Sequence, residues 1–192
     1  MKNWCIALVA AATLAAPAAI AHEAHQHAAG AGLQGLPPEY VHVLLNPLPV
    51  YGLGMGVLAL CAGLLARSRQ VQLLALGLVV LTSLSAWPVF HYGKSAYKHV
   101  RHISDEQGQE WLDEHMDRAE RVIYVFYVTA LFGIAGLVCS RKFPRTATAL
   151  VMTTLLLGIC AVAAGGWISR AGGQTRHPEF RSPHHDADGQ NN

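Results

Sequence analysis

The sequence predicts an all-α fold: an integral membrane four-helix bundle with an extracytoplasmic helical hairpin between the second and third spans. Three observations predict it. Hydrophobic residues make up 52% of the 192-residue chain and charged residues only 14%. The apolar residues come in long blocks rather than at amphipathic spacing, and basic residues crowd two very short links between blocks. This is the composition of a membrane protein with one domain. The net charge of +2 is scattered, with no continuous basic stripe for phosphates, so nucleic acid is not an expected partner. The lipid bilayer is.

The first element is a signal peptide over residues 1–21. Met1 and Lys2 precede an apolar stretch from Cys5 to Ile20, and the small-residue pattern Ala19-Ile20-Ala21 places cleavage before His22. An uncleaved span is the alternative, but the Ala-rich core is short for that role and polar residues follow at once. Residues 22–41 then form a His-rich extracytoplasmic tail. The membrane domain covers 42–170, with spans at about 48–66, 71–90, 122–139 and 147–168, each near the ~20 residues that cross the hydrocarbon core. Only a helix satisfies its backbone within such a segment. Residues 91–121 form the outer hairpin, and 171–192 a second flexible extracytoplasmic tail.

Orientation follows from charge. Arg67 and Arg69 lie in the first link, and Arg141, Lys142 and Arg145 in the last. The positive-inside rule makes those links cytoplasmic. Both termini and the 91–121 loop are then periplasmic, in the inner membrane of a bacterium, which agrees with an exported N-terminus. Glycines at 52, 54 and 56, at 133 and 136, and at 158, 165 and 166 allow close helix approach. Trp87, Tyr92 and Trp167 stand where interfacial aromatics are expected. Cys5 falls in the signal, and Cys61, Cys139 and Cys160 fall in apolar segments without Cys-x-x-Cys spacing, so all four read as packing residues.

This topology places all 11 histidines outside or at the outer membrane edge. Six belong to the tails. A free amine on His22 with His25 and His27 can hold Cu²⁺, Ni²⁺ or Zn²⁺, although a merely soluble polar tail accounts for the same residues. The other five carry more. After Pro88 a helix places His91, His99 and His102 near one face. Ser104, followed by Asp105, Glu106 and Gln107, reads as a capping box that marks the hairpin tip. Counting residues from that tip brings His91 level with His115. Counting from the turn near Ser68 brings His91 within one helical turn of His42, so His42, His91 and His115 are expected in one layer.

Converging imidazoles on facing helices hold haem iron or a transition metal ion. Glu114, Asp117 and Glu120 can add a carboxylate ligand or orient a ring, or instead form a solvated face paired with Lys94, Lys98, Arg101 and Arg118. Interfacial histidines that bind only headgroups or backbone are the competing explanation of the layer.

The segment from Trp87 to Ala96, with its Gly93-x-x-Ala96 turn, followed by His115 and Ala119-Glu120, resembles an uncharacterised family of four-span bacterial membrane proteins distantly similar to membrane b-type cytochromes. The resemblance implies roles for Gly93, Ala96, His115 and Ala119, with His42 near the family's first-span histidine. The chain departs from the pattern where Leu45-Asn46-Pro47 replaces a His-Phe-Pro.

Three functions remain open. The first is a redox protein binding haem b or a redox metal through a pair among His42, His91, His99 and His115, with a periplasmic redox protein or larger membrane complex as partner. The second is a periplasmic Cu/Zn/Ni handling protein using His22, His25, His27 and Glu114. The third is a non-catalytic assembly subunit. No nucleophile-base pair, phosphate loop or His-Glu-x-x-His motif is present, so an electron-transfer or accessory role is expected over a stand-alone enzyme.

Overall fold

The structure is a computed structural model that describes residues 35–140 and 142–181. The signal segment, His22, His25, His27, His184 and His185 lie outside the described residues. Six α-helices follow in chain order: α1 (Pro38–Leu45), α2 (Leu53–Leu65), α3 (Arg69–Leu84), α4 (Ala86–His102), α5 (Glu106–Cys139) and α6 (Pro144–Arg176). A π-helical turn, Leu48–Gly52, joins α1 to α2, and a 3₁₀ turn, Pro178–Phe180, follows α6. No strand occurs among the described residues. Joined end to end, these make four helices long and apolar enough to cross a membrane: Pro38–Leu65, Arg69–His102, Glu106–Cys139 and Arg145–Arg176.

Local chemistry explains the breaks. Pro38 starts α1 at a position where its missing N–H costs nothing. Pro47 and Pro49 then remove two donors from the ladder, and the backbone recovers by the wider turn in which Leu53 N–H reaches Leu48 O. At the other end of α2, Ser68 N–H bonds Gly63 O at 3.0 Å and Arg67 N–H bonds Leu64 O at 3.1 Å, the paired bonds of a Schellman cap. Arg67 occupies its left-handed position, with φ of 50°. Arg69 donates to Ser140 O at 3.1 Å and so ties the two basic turns together.

The helices pack side by side around two apolar clusters. Leu53, Val79, Ala86, Phe126 and Ala161 form one, and Leu60, Ala75, Leu76 and Val151 the other. Buried Thr82, Thr129 and Thr154 each return their hydroxyl to the carbonyl four residues back, which lets a polar atom sit in the core. Outward-facing apolar side chains stay bare: Leu65 is 81% exposed and Leu74 77%. A surface of this kind is matched to lipid.

The four helices have 28 to 34 residues. A 34-residue helix is about 51 Å long at ~1.5 Å per residue, well beyond ~30 Å of hydrocarbon. The excess lies at the end opposite the basic turns, where α4 and α5 are laced by charge. Lys94 pairs with Glu120 at 3.0 Å, Arg101 with Asp113 at 3.4 Å, and Tyr97 donates to the same Asp113 carboxylate.

Three boundaries differ from the sequence reading. The first helix begins at Pro38, inside the stretch expected as a tail and about ten residues before the expected span start. Asp105, not Ser104, caps α5: its extended backbone lets the carboxylate accept from Gly108 N–H at 3.2 Å, while Ser104 Oγ donates back to Val100 O at 2.7 Å. The fourth helix also runs past residue 168 to Arg176, and the chain turns so that Arg181 folds back. Its buried guanidinium donates to Gln174 O at 2.7 Å and Thr175 O at 3.0 Å, and grips Asp105 at 2.6 Å. Those carbonyls would otherwise be orphans of the helix end. Arg181 thereby ties the chain after α6 to the start of α5.

Candidate functional site

The site begins with two histidines on different helices. His42 projects from α1 toward α4, where its Nδ1 lies 2.8 Å from Val89 O. His115 projects from α5 toward α6, where its Nδ1 lies 2.9 Å from Ile168 O. A carbonyl oxygen only accepts, so in each ring Nδ1 carries the proton. The neutral ring then keeps its lone pair on Nε2, the atom that binds metals. Neither Nε2 has a hydrogen-bond partner among the described residues.

Both docks use the same device. Gly93 stands four residues after Val89, and Gly172 four after Ile168. A helical side chain leans toward the N-terminus over the turn before it, so glycine at that position bares the carbonyl for a second donor. The fit is close. A Cβ on Gly93 would come 2.9 Å from His42 Nδ1, and one on Gly172 would come 3.0 Å from His115 Nδ1. These glycines are there to admit the rings.

The two rings then face each other, with centroids 6.2 Å apart and planes at 87°. A metal–imidazole bond of about 2 Å, plus about 1 Å from that nitrogen to the ring centre, places two rings on one ion about 6 Å apart. They border a cavity of about 750 Å³. Ligand and cofactor pockets run roughly 300–1,000 Å³. Its walls are mainly apolar, and Gly93, Ala96 and Ala119 widen it beside the rings. Polar groups gather toward one end, among them Glu39, Tyr97, Thr175, Arg176 and His177. Mainly apolar walls border the paired rings, and Arg176 and His177, where the last long helix ends, are exposed to solvent.

Of the four histidines expected to supply a ligand pair, the structure brings together His42 and His115. His91 is exposed on the opposite side of α4, stacked on Trp87 with centroids 5.6 Å apart and planes at 14°. His99 is exposed and 3.7 Å from Glu39. Glu114 accepts from Arg118 at 2.8 Å, and that guanidinium lies over Trp167 at 4.6 Å. Among the described residues no group of three or more His, Cys, Asp or Glu side chains gathers to hold a metal ion. The expected layer of three is a pair.

Sequence reasoning missed the carbonyl docks and Arg176. A carbonyl leaves no mark in the sequence, but a repeat does: Trp87-Pro88-Val89-x-x-x-Gly93 in α4 is echoed by Trp167-Ile168-x-x-x-Gly172 in α6. A β-branched residue four before a glycine, just after an interfacial tryptophan, was the available signal.

No family model, curated protein or solved structure matches this chain.

Proposed function

We propose that this is a multi-pass inner-membrane protein that holds one haem b between His42 and His115, near the extracytoplasmic face, and passes single electrons there. The observation that carries the reading is the ring pair. Two imidazoles are pinned through Nδ1 on separate helices, keep Nε2 free of any hydrogen bond among the described residues, stand with ring centroids 6.2 Å apart, and line one cavity of cofactor size.

Haem supplies a reversible one-electron couple when bound. The chain does the rest. His42 and His115 arrive with the correct tautomer already set, so no proton moves when a ligand bond forms. Gly93, Ala96 and Ala119 make room for a flat macrocycle beside them. The apolar walls exclude water and disfavour the more highly charged oxidised state, a means of tuning the potential. A haem held by both imidazoles would have no position left for oxygen or substrate, which suits electron transfer.

The orientation belongs to the same proposal. Arg67, Arg69, Lys142 and Arg145 lie at the end with the short turns, and the positive-inside rule assigns that end to the cytoplasm. The 91–121 hairpin and the histidine pair are then periplasmic, with a periplasmic redox protein or a membrane complex as the electron partner.

The test is the reduced-minus-oxidised visible spectrum of the full chain, purified in mild detergent after expression with haem supplied. Sharp bands of a six-coordinate b haem are expected. They are lost in His42→Ala and in His115→Ala and kept in His91→Ala and His99→Ala. A flat spectrum from folded, haem-supplied protein sinks the proposal, and stoichiometric copper, zinc or nickel in its place selects metal handling.

A further inference from the structure

Resting on the haem reading, we infer that Arg176 is the anion anchor of the site and binds the carboxylate side chains of the tetrapyrrole at the cavity mouth. Arg176 closes α6, four residues beyond Gly172 and eight beyond Ile168. The i, i+4, i+8 spacing puts it on the stripe that docks His115, about two helical turns further toward the polar end. It lines the same cavity and is the one lysine or arginine among the described residues that do so.

Most other cations of this end are paired, and Lys98 and Arg170, unpaired among the described residues, do not line the cavity. Lys94, Arg101, Arg118, Arg121 and Arg181 are each matched to a carboxylate within the chain. Arg176 has no partner among the described residues. The neighbouring carboxylates are engaged elsewhere: Glu39 faces His99 at 3.7 Å, and Glu179 holds His177 Nδ1 at 2.9 Å. Nearer the middle of the helices the lining is mainly apolar, with Val89, Met116, Ile123 and Phe126 around the two histidines. An apolar slot with an unpaired cation at its mouth is complementary to a flat hydrophobic ligand with carboxylates on one edge. It also fixes the ligand's direction, carboxylates outward. Arginine suits this because its planar fork meets a carboxylate with two parallel bonds.

The experiment titrates the full-length apoprotein in detergent with haem and with its dimethyl ester, in which both carboxylates are blocked, and follows the Soret band. Wild type is expected to bind haem at least about tenfold tighter than the ester, the scale of a charge-assisted hydrogen bond. Arg176→Leu should lose that preference while holding the ester as wild type does, which also shows that it is folded. Arg176→Lys should recover part of it. Equal wild-type affinity for the two pigments, or an undiminished preference in Arg176→Leu, overturns the anchor and leaves the histidine pair standing. A wild-type chain that binds neither pigment overturns the haem reading and this inference with it.

Discussion

Replacing Gly93 by alanine tests the histidine dock at its tightest point. The new Cβ would stand 2.9 Å from His42 Nδ1 and 3.0 Å from Cε1, where ordinary contact begins at 3.4 Å. The ring must therefore retreat by about 0.5 Å, and it cannot do so while keeping its 2.8 Å bond to Val89 O on the same helix. Overpacking of this kind costs roughly 1–3 kcal/mol. The apoprotein escapes by turning His42 into the cavity, and it gains up to about 1 kcal/mol because alanine favours helix over glycine. On the haem reading the loaded protein would have no such escape, since Nε2 would be committed to the iron. Haem affinity should fall about 5- to 150-fold while apoprotein stability holds or rises. Gly172→Ala, with contacts of 3.0 Å on His115, should behave alike. Gly54→Ala, Gly77→Ala and Gly166→Ala, where nothing lies within 4 Å, serve as controls. The assay pairs a Soret titration with thermal unfolding in detergent. Unchanged haem affinity in Gly93→Ala, or an equal loss in the controls, refutes the dock.

Three further outcomes follow from particular contacts. The imidazole planes cross at 87°; were both rings to hold a haem iron in that arrangement, the oxidised protein would give a highly anisotropic low-spin EPR signal, and a rhombic one would mean parallel rings. Arg181 holds the Asp105 carboxyl below the usual carboxylate range. A lowered folded-state pKa stabilises the closed arrangement above the unfolded value of about 3.9 and is lost as pH falls through the folded one. Proteolysis of the chain after Arg176 should thus be constant from neutral pH to about 5 and rise below about 4, and Asp105→Asn should raise it already at pH 7. In a cysteine-free background, Ser104→Cys should react with an impermeant thiol reagent on intact cells whereas Lys142→Cys should not, and the reverse labelling refutes the orientation.

How much was legible depends on what each residue can reveal. The four long helices follow from block length and from the cost of an unsatisfied backbone in lipid, so they could be read directly. The height of the site was also legible. Residue counting brings His91 within a turn of His42, and His42 in fact docks at Val89, two residues from His91. Its face was not. Two residues along a helix are a rotation of about 200°, so His91 points away from the ring that meets its neighbour. The face belongs to Val89, Gly93 and Ala96, and its mark in the sequence is small size rather than chemistry. Ser104 and Asp105 compete for one cap, and the carboxylate that makes it is also held by Arg181, 76 residues away from Asp105. No local pattern carries that information.

The pairing of docks has a consequence for how the site is assembled. His42 and Val89 both lie in the half of the chain from Pro38 to His102, and His115 and Ile168 both lie in the half from Glu106 to Arg176. Each half presents its own imidazole without help from the other, and the cavity arises only where the halves meet. A ligand bridging the rings is therefore a cross-link between two preorganised halves. A ligand present at 1,000 times its dissociation constant adds about 4 kcal/mol to the state that binds it. That energy falls on the contact between halves and not on the docks within them. Heating the haem-loaded protein should then bleach the Soret band and separate the halves in one transition, followed by a fluorophore pair placed on Gln70 in the first half and Lys142 in the second, against pairs within either half. In His42→Ala the halves should part at a lower temperature, while the signals within each half persist. Colour lost well before the halves part would show that the rings do not share one ligand.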